Sequence, residues 1–346
     1  MQNSVKNVLD KRAHLLLFCK TVVEEKLGIT IITYNRASYL DETLRQLLSS
    51  PFKDCKITVL DNCSPDDTPV VCEKYSHLFR NIAIFRHKHN IGGAGNYARA
   101  VEISDMEYTW ILCDDDTFDF TEVSDVIGAI IYGTYDIIIV GSPGLFDTQR
   151  GIRGNPMDLI KQGIYYYYVL SFIPGFIYRT EKYDSQCLIE NYKFFPYSYP
   201  HFAIIDKSVR ENFTVYVSEQ LIVIRNLLGA SPITLLSWYR HWIYCCSIIH
   251  DPKLRELTMA SPFKQQGGYR FLMMFIGHGK IFNKGTFYKD MLTIFVRFSW
   301  KLRLISLPMI FIPRPVYIVM RHIYRFVQEK IFKITPAPLV IDKSRG

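Results

Sequence analysis

An α/β domain with a mostly parallel sheet and helices on both faces is the fold class predicted by the sequence. Three observations lead to it. From Gly28 onward short β-branched runs alternate with helical periodicities, three of the runs end in acidic or amide side chains, and 49% hydrophobic against 21% charged residues supplies a packed core.

Taken in order, Ile29-Thr-Ile-Ile-Thr33 is a β-branched strand, and Leu40 to Leu48 sets Leu40, Leu44, Leu47 and Leu48 on one helical face. Ile57-Thr-Val-Leu60 is a second strand, Thr68 to Phe79 a helix, Ile82-Ala-Ile-Phe85 a third strand, Asn96 to Ile103 a helix and Tyr108 to Cys113 a fourth strand. Asp136 to Val140 and Gly175 to Arg179 read as later strands, and Pro200-His201 opens a helix to about Val209. Ligands of such sheets bind beyond the carboxyl ends of the strands. Thr33-Tyr34-Asn35-Arg36, Asp61-Asn62 and Asp114-Asp115-Asp116 are therefore expected on one rim.

The 346 residues divide into an N-terminal extension (1–27), a catalytic domain (28–229) and a helical C-terminal region (230–346) where aromatic and basic residues crowd together. Between Thr286 and Ile334 Lys and Arg recur among Phe, Trp, Tyr, Ile and Leu, and Pro308, Pro313 and Pro315 interrupt the run, too soon for a membrane span. Amphipathic helices in the headgroup layer of anionic lipid fit this pattern; a helical cap with its bases in water is the competing reading. His14 to Val23 is too short and too charged at its flanks to span a bilayer and lacks a signal-cleavage site. Eight cysteines without a C-x-x-C pair fit a reducing compartment, so a cytoplasmic protein is expected. The net charge of +8 comes without zinc-finger spacing or an RNA-binding aromatic signature, and nucleic acid is not an expected partner.

The strongest chemical signal is Trp110-Ile-Leu-Cys-Asp114-Asp115-Asp116, an apolar strand that ends in three carboxylates. Like charges side by side raise the energy unless a cation joins them. Hard ions such as Mg²⁺ or Mn²⁺ take oxygen ligands, often one or two carboxylates plus substrate phosphates. Taken alone, the triplet fits a solvated acidic turn equally well. Gly93-Ala-Gly95-Asn-Tyr-Ala98 fits the dinucleotide fingerprint G-x-G-x-x-A, but it follows a third strand instead of a first. A donor-binding loop explains it better than a dehydrogenase. Arg86 and Arg99 are further candidates for phosphate contact.

Four segments in order resemble the family 2 glycosyltransferases, whose GT-A fold binds nucleotide-diphospho-sugars. They are Thr30-Ile-Ile-Thr-Tyr-Asn35-Arg36-Ala-Ser-Tyr-Leu40, Ile57 to Thr68 around Asp61, Asn90-Ile-Gly92-Gly93-Ala94-Gly95-Asn96, and the D-x-D of Asp114 to Asp116. The resemblance implies that Asp61 meets the donor's base or ribose, Asp114 the ribose or the water shell of the ion, and Asp116, with Asp114, the metal. Thr33, Asn35, Arg36, Asn90, Gly92, Gly95 and Asp115 fall in the same donor-binding segments. It also implies inversion at the anomeric carbon, which needs a base to take the acceptor's proton. The acidic pair that family members place some 80 residues past the D-x-D is missing here; Tyr197-Ser-Tyr199-Pro200-His201-Phe202 stands near its place, with Asp206 one turn on. His201 is open to three roles, as base, third metal ligand or structural histidine. Asp206, Asp184 and Glu190 are further candidates. Trp238-Tyr239-Arg240-His241-Trp242 is a poor match to the R-W motif of processive relatives, and polymerisation is not expected.

The expected function is therefore metal-assisted transfer of one sugar from a nucleotide-diphosphate donor to a lipid-linked saccharide in bacterial surface-polysaccharide assembly, such as O-antigen or capsule, at the inner face of the plasma membrane. Abequose-type transferases are among the relatives that the resemblance suggests. A nucleotidyltransferase, which would release pyrophosphate, lacks its expected lysine- and glycine-rich phosphate loop here, and a non-catalytic scaffold is the reading that the missing acidic pair leaves open.

Overall fold

The computed structural model describes residues 22–142, 151–195, 197, 199–224, 235–265, 272, 275–277, 279–280, 285–296 and 300–330. The expected extension before residue 22, with Cys19, and the tail beyond 330 lie outside them. The chain forms two compact units, 1–226 and 227–346.

In the first unit the alternation begins with β1 (Leu27–Thr33), α1 (Ala37–Leu48), β2 (Lys56–Asp61), α2 (Thr68–Ser76) and β3 (Ile82–Arg86). It continues through α3 (Gly92–Glu102), β4 (Tyr108–Cys113), β5 (Thr117–Phe118), α4 (Ser124–Tyr132) and β6 (Ile137–Ile139). Next come β7 (Arg153–Gly154), α5 (Pro156–Lys161), α6 (Tyr166–Leu170), β8 (Phe176–Arg179) and α7 (Ser185–Lys193). The unit closes with α8 (Phe202–Arg210), β9 (Val215–Val217) and β10 (Val223–Ile224).

Eight strands form one sheet in the order β3-β2-β1-β4-β8-β6-β9-β7. The four leading strands are parallel, and β8 enters antiparallel between β4 and β6. Strand β1 lies between β2 and β4, so the chain reverses its direction of advance across the sheet at β1, the place where open α/β sheets bind ligands. A small antiparallel ribbon pairs β5 with β10 just after the aspartate triplet.

The strands form because their β-branched and apolar residues are buried on both faces: Ile29, Ile31, Ile57, Val59, Trp110 and Leu112 on one, Thr30, Thr58, Leu60, Thr109 and Ile111 on the other. Phe52, Phe118 and Phe120 surround Trp110 edge to face, and its indole N–H donates to Pro174 O at 2.9 Å. Helix α1 buries Leu40, Leu44 and Leu47, the stripe expected from the spacing. Helix α3 departs from expectation by starting at Gly92, four residues before Asn96. The Asn90 side chain accepts the Gly92 N–H at 2.8 Å, a turn just ahead of the N-cap Ile91 that leads the glycines into the first helical turn despite their low helix propensity.

The second unit contains α9 (Leu235–Cys246), α10 (Pro252–Gln265), α11 (Phe287–Phe295), α12 (Trp300–Phe311) and α13 (Arg314–Lys330). Trp242 and Tyr239 are buried and donate to Thr258 O and Met259 O, while Arg240 pairs with Asp290 at 3.1 Å. The Trp238–Trp242 segment thus packs this unit together. No helix among the described residues is long and apolar enough to cross a membrane.

Candidate active site

Register gathers the polar strand ends. Thr33 pairs with Asp61, Asp61 with Arg86, and Ile32 with Cys113, which sets Asp114 level with Thr33 on the other side. One row, Arg86, Asp61, Thr33 and Asp114, therefore crosses the carboxyl edge of the four parallel strands.

At one end Asp61 is fixed from two directions. Its Oδ2 accepts Arg86 Nη1 at 2.6 Å and its Oδ1 accepts the Ser64 N–H at 2.9 Å, with the residue 1% exposed. Arg86 also donates to Ser64 O, so the loop after β2 closes around the pair. A buried carboxylate needs such partners to stay charged. Two residues outside glycine adopt left-handed backbone here, Asn35 with φ 56° and Cys63 with φ 65°. The Asn35 N–H donates to Ser64 Oγ and the Ala37 N–H to Asp66 Oδ2, joining the loops after β1 and β2.

The amides tie in the glycine segment. Asn62 Nδ2 donates to Asn90 Oδ1 and Gly92 O, and Asn62 Oδ1 accepts the Ile91 N–H. Gly92 has φ +77°, and a Cβ at Gly92 or Gly93 would meet nothing within 4 Å, so this turn has open space beside it. Gly95 differs: a Cβ there would press Ile91 at 3.2 Å.

At the other end stand the aspartates. Asp114 is buried; its backbone oxygen accepts Thr43 Oγ1, its Oδ1 accepts Arg36 Nη1 at 3.1 Å, and its Oδ2 has no hydrogen-bond partner, nor does Thr33 Oγ1. Burial pushes the Asp114 carboxyl up to about 6, against the opposing pull of Thr33 and Arg36. Arg36 Nη1 also reaches Asp115 Oδ2 at 2.7 Å. Burial works against the Arg36 charge, yet Asp114 and Asp115 outweigh it and hold its pKa above the ordinary value.

The ligand atoms of Cys113, Asp115 and Asp116 lie within 4.8 Å of one another. This group differs from the expected pair of Asp114 and Asp116: Asp115 stands beside Asp116 while Asp114 is not among the clustered ligand atoms, and Arg36 engages both Asp114 and Asp115. The donor set fits a hard divalent ion. Burial, then the Asp116 and Asp115 charges, push the Cys113 thiol well above its ordinary pKa, which disfavours the thiolate that a soft ion prefers.

The two residues expected as catalytic bases lie in the interior. His201 is 1% exposed, with its Nε2 on Ser171 O at 2.9 Å and its ring against Tyr97, Phe176 and Tyr199. Burial lowers its pKa to about 4, so the ring is neutral. Asp206 is 4% exposed, and its two oxygens accept Tyr167 Oη and Arg210 Nε. Both side chains are thereby buried and bonded to interior partners. Asp184 caps α7 and pairs with Lys207, while Glu190 accepts Gln186 Nε2 on the surface. Arg99 pairs with Glu102 on α3.

Sequence reasoning missed the Asp61–Arg86 pair, the Arg36 bridge and Cys113. The matched lengths of the strands ending at Asp61 and Arg86 were a usable signal for the first; the other two depend on contacts between distant segments.

Comparison with known proteins adds three findings. The family model described as glycosyl transferase family 2 matches residues 29–212. By sequence the chain is similar to the poly(ribitol-phosphate) beta-N-acetylglucosaminyltransferase TarS of Staphylococcus aureus, 26% identical over 140 residues, which is 40% of this chain and 23% of that protein. It is also similar to the dTDP-rhamnosyl transferase RfbG of Shigella flexneri, 25% identical over 168 residues, 47% of this chain and 56% of that one. The chain thus spans less than a quarter of TarS and a little over half of RfbG. In fold it resembles S. aureus TarS 1–349 in complex with UDP-GlcNAc, with a TM-score of 0.55, 16% identity and coverage of 86% of this chain and 92% of that one. It also resembles the mannosyltransferase PcManGT from Pyrobaculum calidifontis in complex with GDP-Man and Mn²⁺, with a TM-score of 0.50, 10% identity and coverage of 93% and 89%.

Proposed function

Since the chain belongs to glycosyl transferase family 2, we propose that it transfers a single sugar from a nucleotide-diphosphate donor to a hydroxyl of a lipid-linked saccharide, with inversion and with a divalent ion, Mg²⁺ or Mn²⁺. The observation that carries the proposal is the carboxylate group of Asp115 and Asp116 at the end of a strand row that also presents Asp61, Thr33 and Asp114.

Each part has a physical task. Asp61, held by Arg86, accepts hydrogen bonds from the donor's base or ribose, while the buried Asp114 Oδ2 and Thr33 Oγ1 receive ribose hydroxyls. The turn at Gly92 and Gly93 lets backbone approach the donor. Asp115 and Asp116 would hold a divalent ion, which would supply Lewis-acid stabilisation of the departing diphosphate. An acceptor hydroxyl attacks the anomeric carbon and gives up its proton to solvent, the bond from that carbon to the phosphate oxygen breaks, and a nucleoside diphosphate leaves. Screening nucleotide sugars for thermal stabilisation that requires Mn²⁺ tests the donor, since a ligand of the native state raises its melting temperature. The product assay must find nucleoside diphosphate; released pyrophosphate would show a nucleotidyltransferase instead.

The lipid side of the proposal draws on the second unit. Helix α13 exposes Val316, Val319, Met320, Ile323 and Phe326, an apolar stripe at helical spacing. Helix α12 exposes Trp300, Leu304, Leu307 and Phe311, which fall within an arc of about 60° at 100° per residue, while Ser306, Met309 and Ile310 are buried. Contiguous exposed apolar surface marks an interaction site. Between residues 286 and 334 nine Lys and Arg accompany only two acidic residues, a balance complementary to anionic headgroups. The occupant proposed is therefore the inner face of the plasma membrane. Vesicles of phosphatidylglycerol and phosphatidylethanolamine should sediment the protein, and Ile323→Glu with Phe326→Glu should weaken that binding about tenfold or more. Equal sedimentation by the double variant, or a dimer dissolved by it, would remove the lipid surface from the proposal.

A further inference from the structure

Arg36 occupies an unusual place in the carboxylate group. It is fixed at the start of α1 by the left-handed Asn35 before it and the Ala37 N–H bond to Asp66 after it. From there a single guanidinium nitrogen bridges Asp114 Oδ1 at 3.1 Å and Asp115 Oδ2 at 2.7 Å, with about a third of the side chain open to solvent. Asp115 is also one of the two carboxylates able to hold the ion. Arg36 and a divalent ion thus draw on the same carboxylate. Two aspartates bonded to one guanidinium, with Asp116 beside Asp115, leave an excess of negative charge that attracts a cation, yet entry of the ion weakens the Arg36–Asp115 bond.

Resting on the metal-site reading above, we infer that Arg36 couples ion binding to donor binding: it competes for Asp115 when the site is without donor and transfers to the diphosphate when the donor arrives. Electrostatics supports both halves. A guanidinium close to a metal site lowers affinity for the bare ion through like-charge repulsion and through the carboxylate it holds. An arriving diphosphate offers the same planar fork a bidentate anionic partner, so Asp115 is released while the ion gains phosphate oxygens. Ion and donor then each favour the binding of the other, and linkage makes that effect reciprocal. Arg36 is a positioning residue in this scheme. It holds Asp115 in one state and the donor's phosphates in the other.

The test measures Mn²⁺ binding to the full chain by electron paramagnetic resonance, first with the ion alone and then with inorganic pyrophosphate, a diphosphate without base or sugar. Arg36→Gln should bind bare Mn²⁺ roughly five- to tenfold more tightly than the wild type, and the enhancement due to pyrophosphate should fall by about tenfold. Arg36→Lys, which keeps the charge but loses the fork, should remain weak for the bare ion and lose part of the enhancement. A merely structural arginine predicts the opposite sign for bare Mn²⁺, because a loosened site binds more weakly. Bare-ion affinity unchanged or reduced in Arg36→Gln, or undiminished enhancement, overturns the coupling while leaving the metal site intact. Wild-type protein that binds no Mn²⁺ in either condition overturns the metal-site reading and this inference together.

Discussion

Replacing Asp116 by alanine should reduce transfer by roughly 10³-fold, about 4 kcal/mol of lost transition-state stabilisation. The carboxylate belongs to the one group of metal-competent side chains among the described residues, and it is 7% exposed. In a cluster that also contains Asp114 and Asp115, deleting one negative charge relieves repulsion, so the fold should survive. The melting temperature in the absence of metal should therefore stay near that of the wild type or rise slightly, while the shift produced by Mn²⁺ and nucleotide sugar disappears. Both readouts matter. Loss of transfer with a collapsed melting curve would point to unfolding, and retained transfer with an intact fold would sink the assignment of Asp116 to the ion.

His201 is expected to control how stability depends on pH. Its buried ring has a pKa lowered to about 4 in the native state, whereas the unfolded chain takes up the proton near 6.5. The stabilising difference is fully present above pH 6.5 and is lost as the pH falls toward 4, because the unfolded state binds a proton that the native state refuses. A shift of this size corresponds to about 3 kcal/mol. Urea unfolding from pH 7 down to pH 4 should show this loss in the wild type and a much flatter profile in His201→Gln, whose amide can still donate to Ser171 O. Transfer by the variant at pH 7 should stay within a few-fold of the wild type. A drop of 10² or more with the fold intact would instead restore the histidine as the base.

The first half of the fold was legible because its signals are local. Ile29 to Thr33, Ile57 to Leu60 and Tyr108 to Cys113 are β-branched or apolar runs of strand length, and Leu40, Leu44 and Leu47 repeat at helical spacing. The convergence of Asp61 and the triplet followed from topology alone, since parallel neighbours end on one edge. What escaped the sequence depends on partners far away in the chain. Gly92 to Gly95 read as a loop because glycine is a poor helix former, and the Asn90 turn that leads into the helix is itself bound by Asn62. The three roles of His201 stayed open in the sequence because a histidine at a helix start gives no sign of burial; Tyr97 and Phe176, which pack on it, come from other elements. The Arg36 bridge links residues separated by 78 positions, a pairing that no periodicity encodes.

The row from Arg86 through Asp61 and Thr33 to Asp114 also works as a ruler. Neighbouring strands stand about 4.8 Å apart, so its four positions span about 14 Å. A sugar phosphate is too short to reach both ends. A ligand that touches Arg86 while its anionic portion meets the aspartates must be extended, with a flat or ribose-bearing group at one extremity and the reacting carbon beyond the other. On the proposed reading, the width of four β-strands sets the length a donor needs in order to meet Asp61 and the aspartates at once.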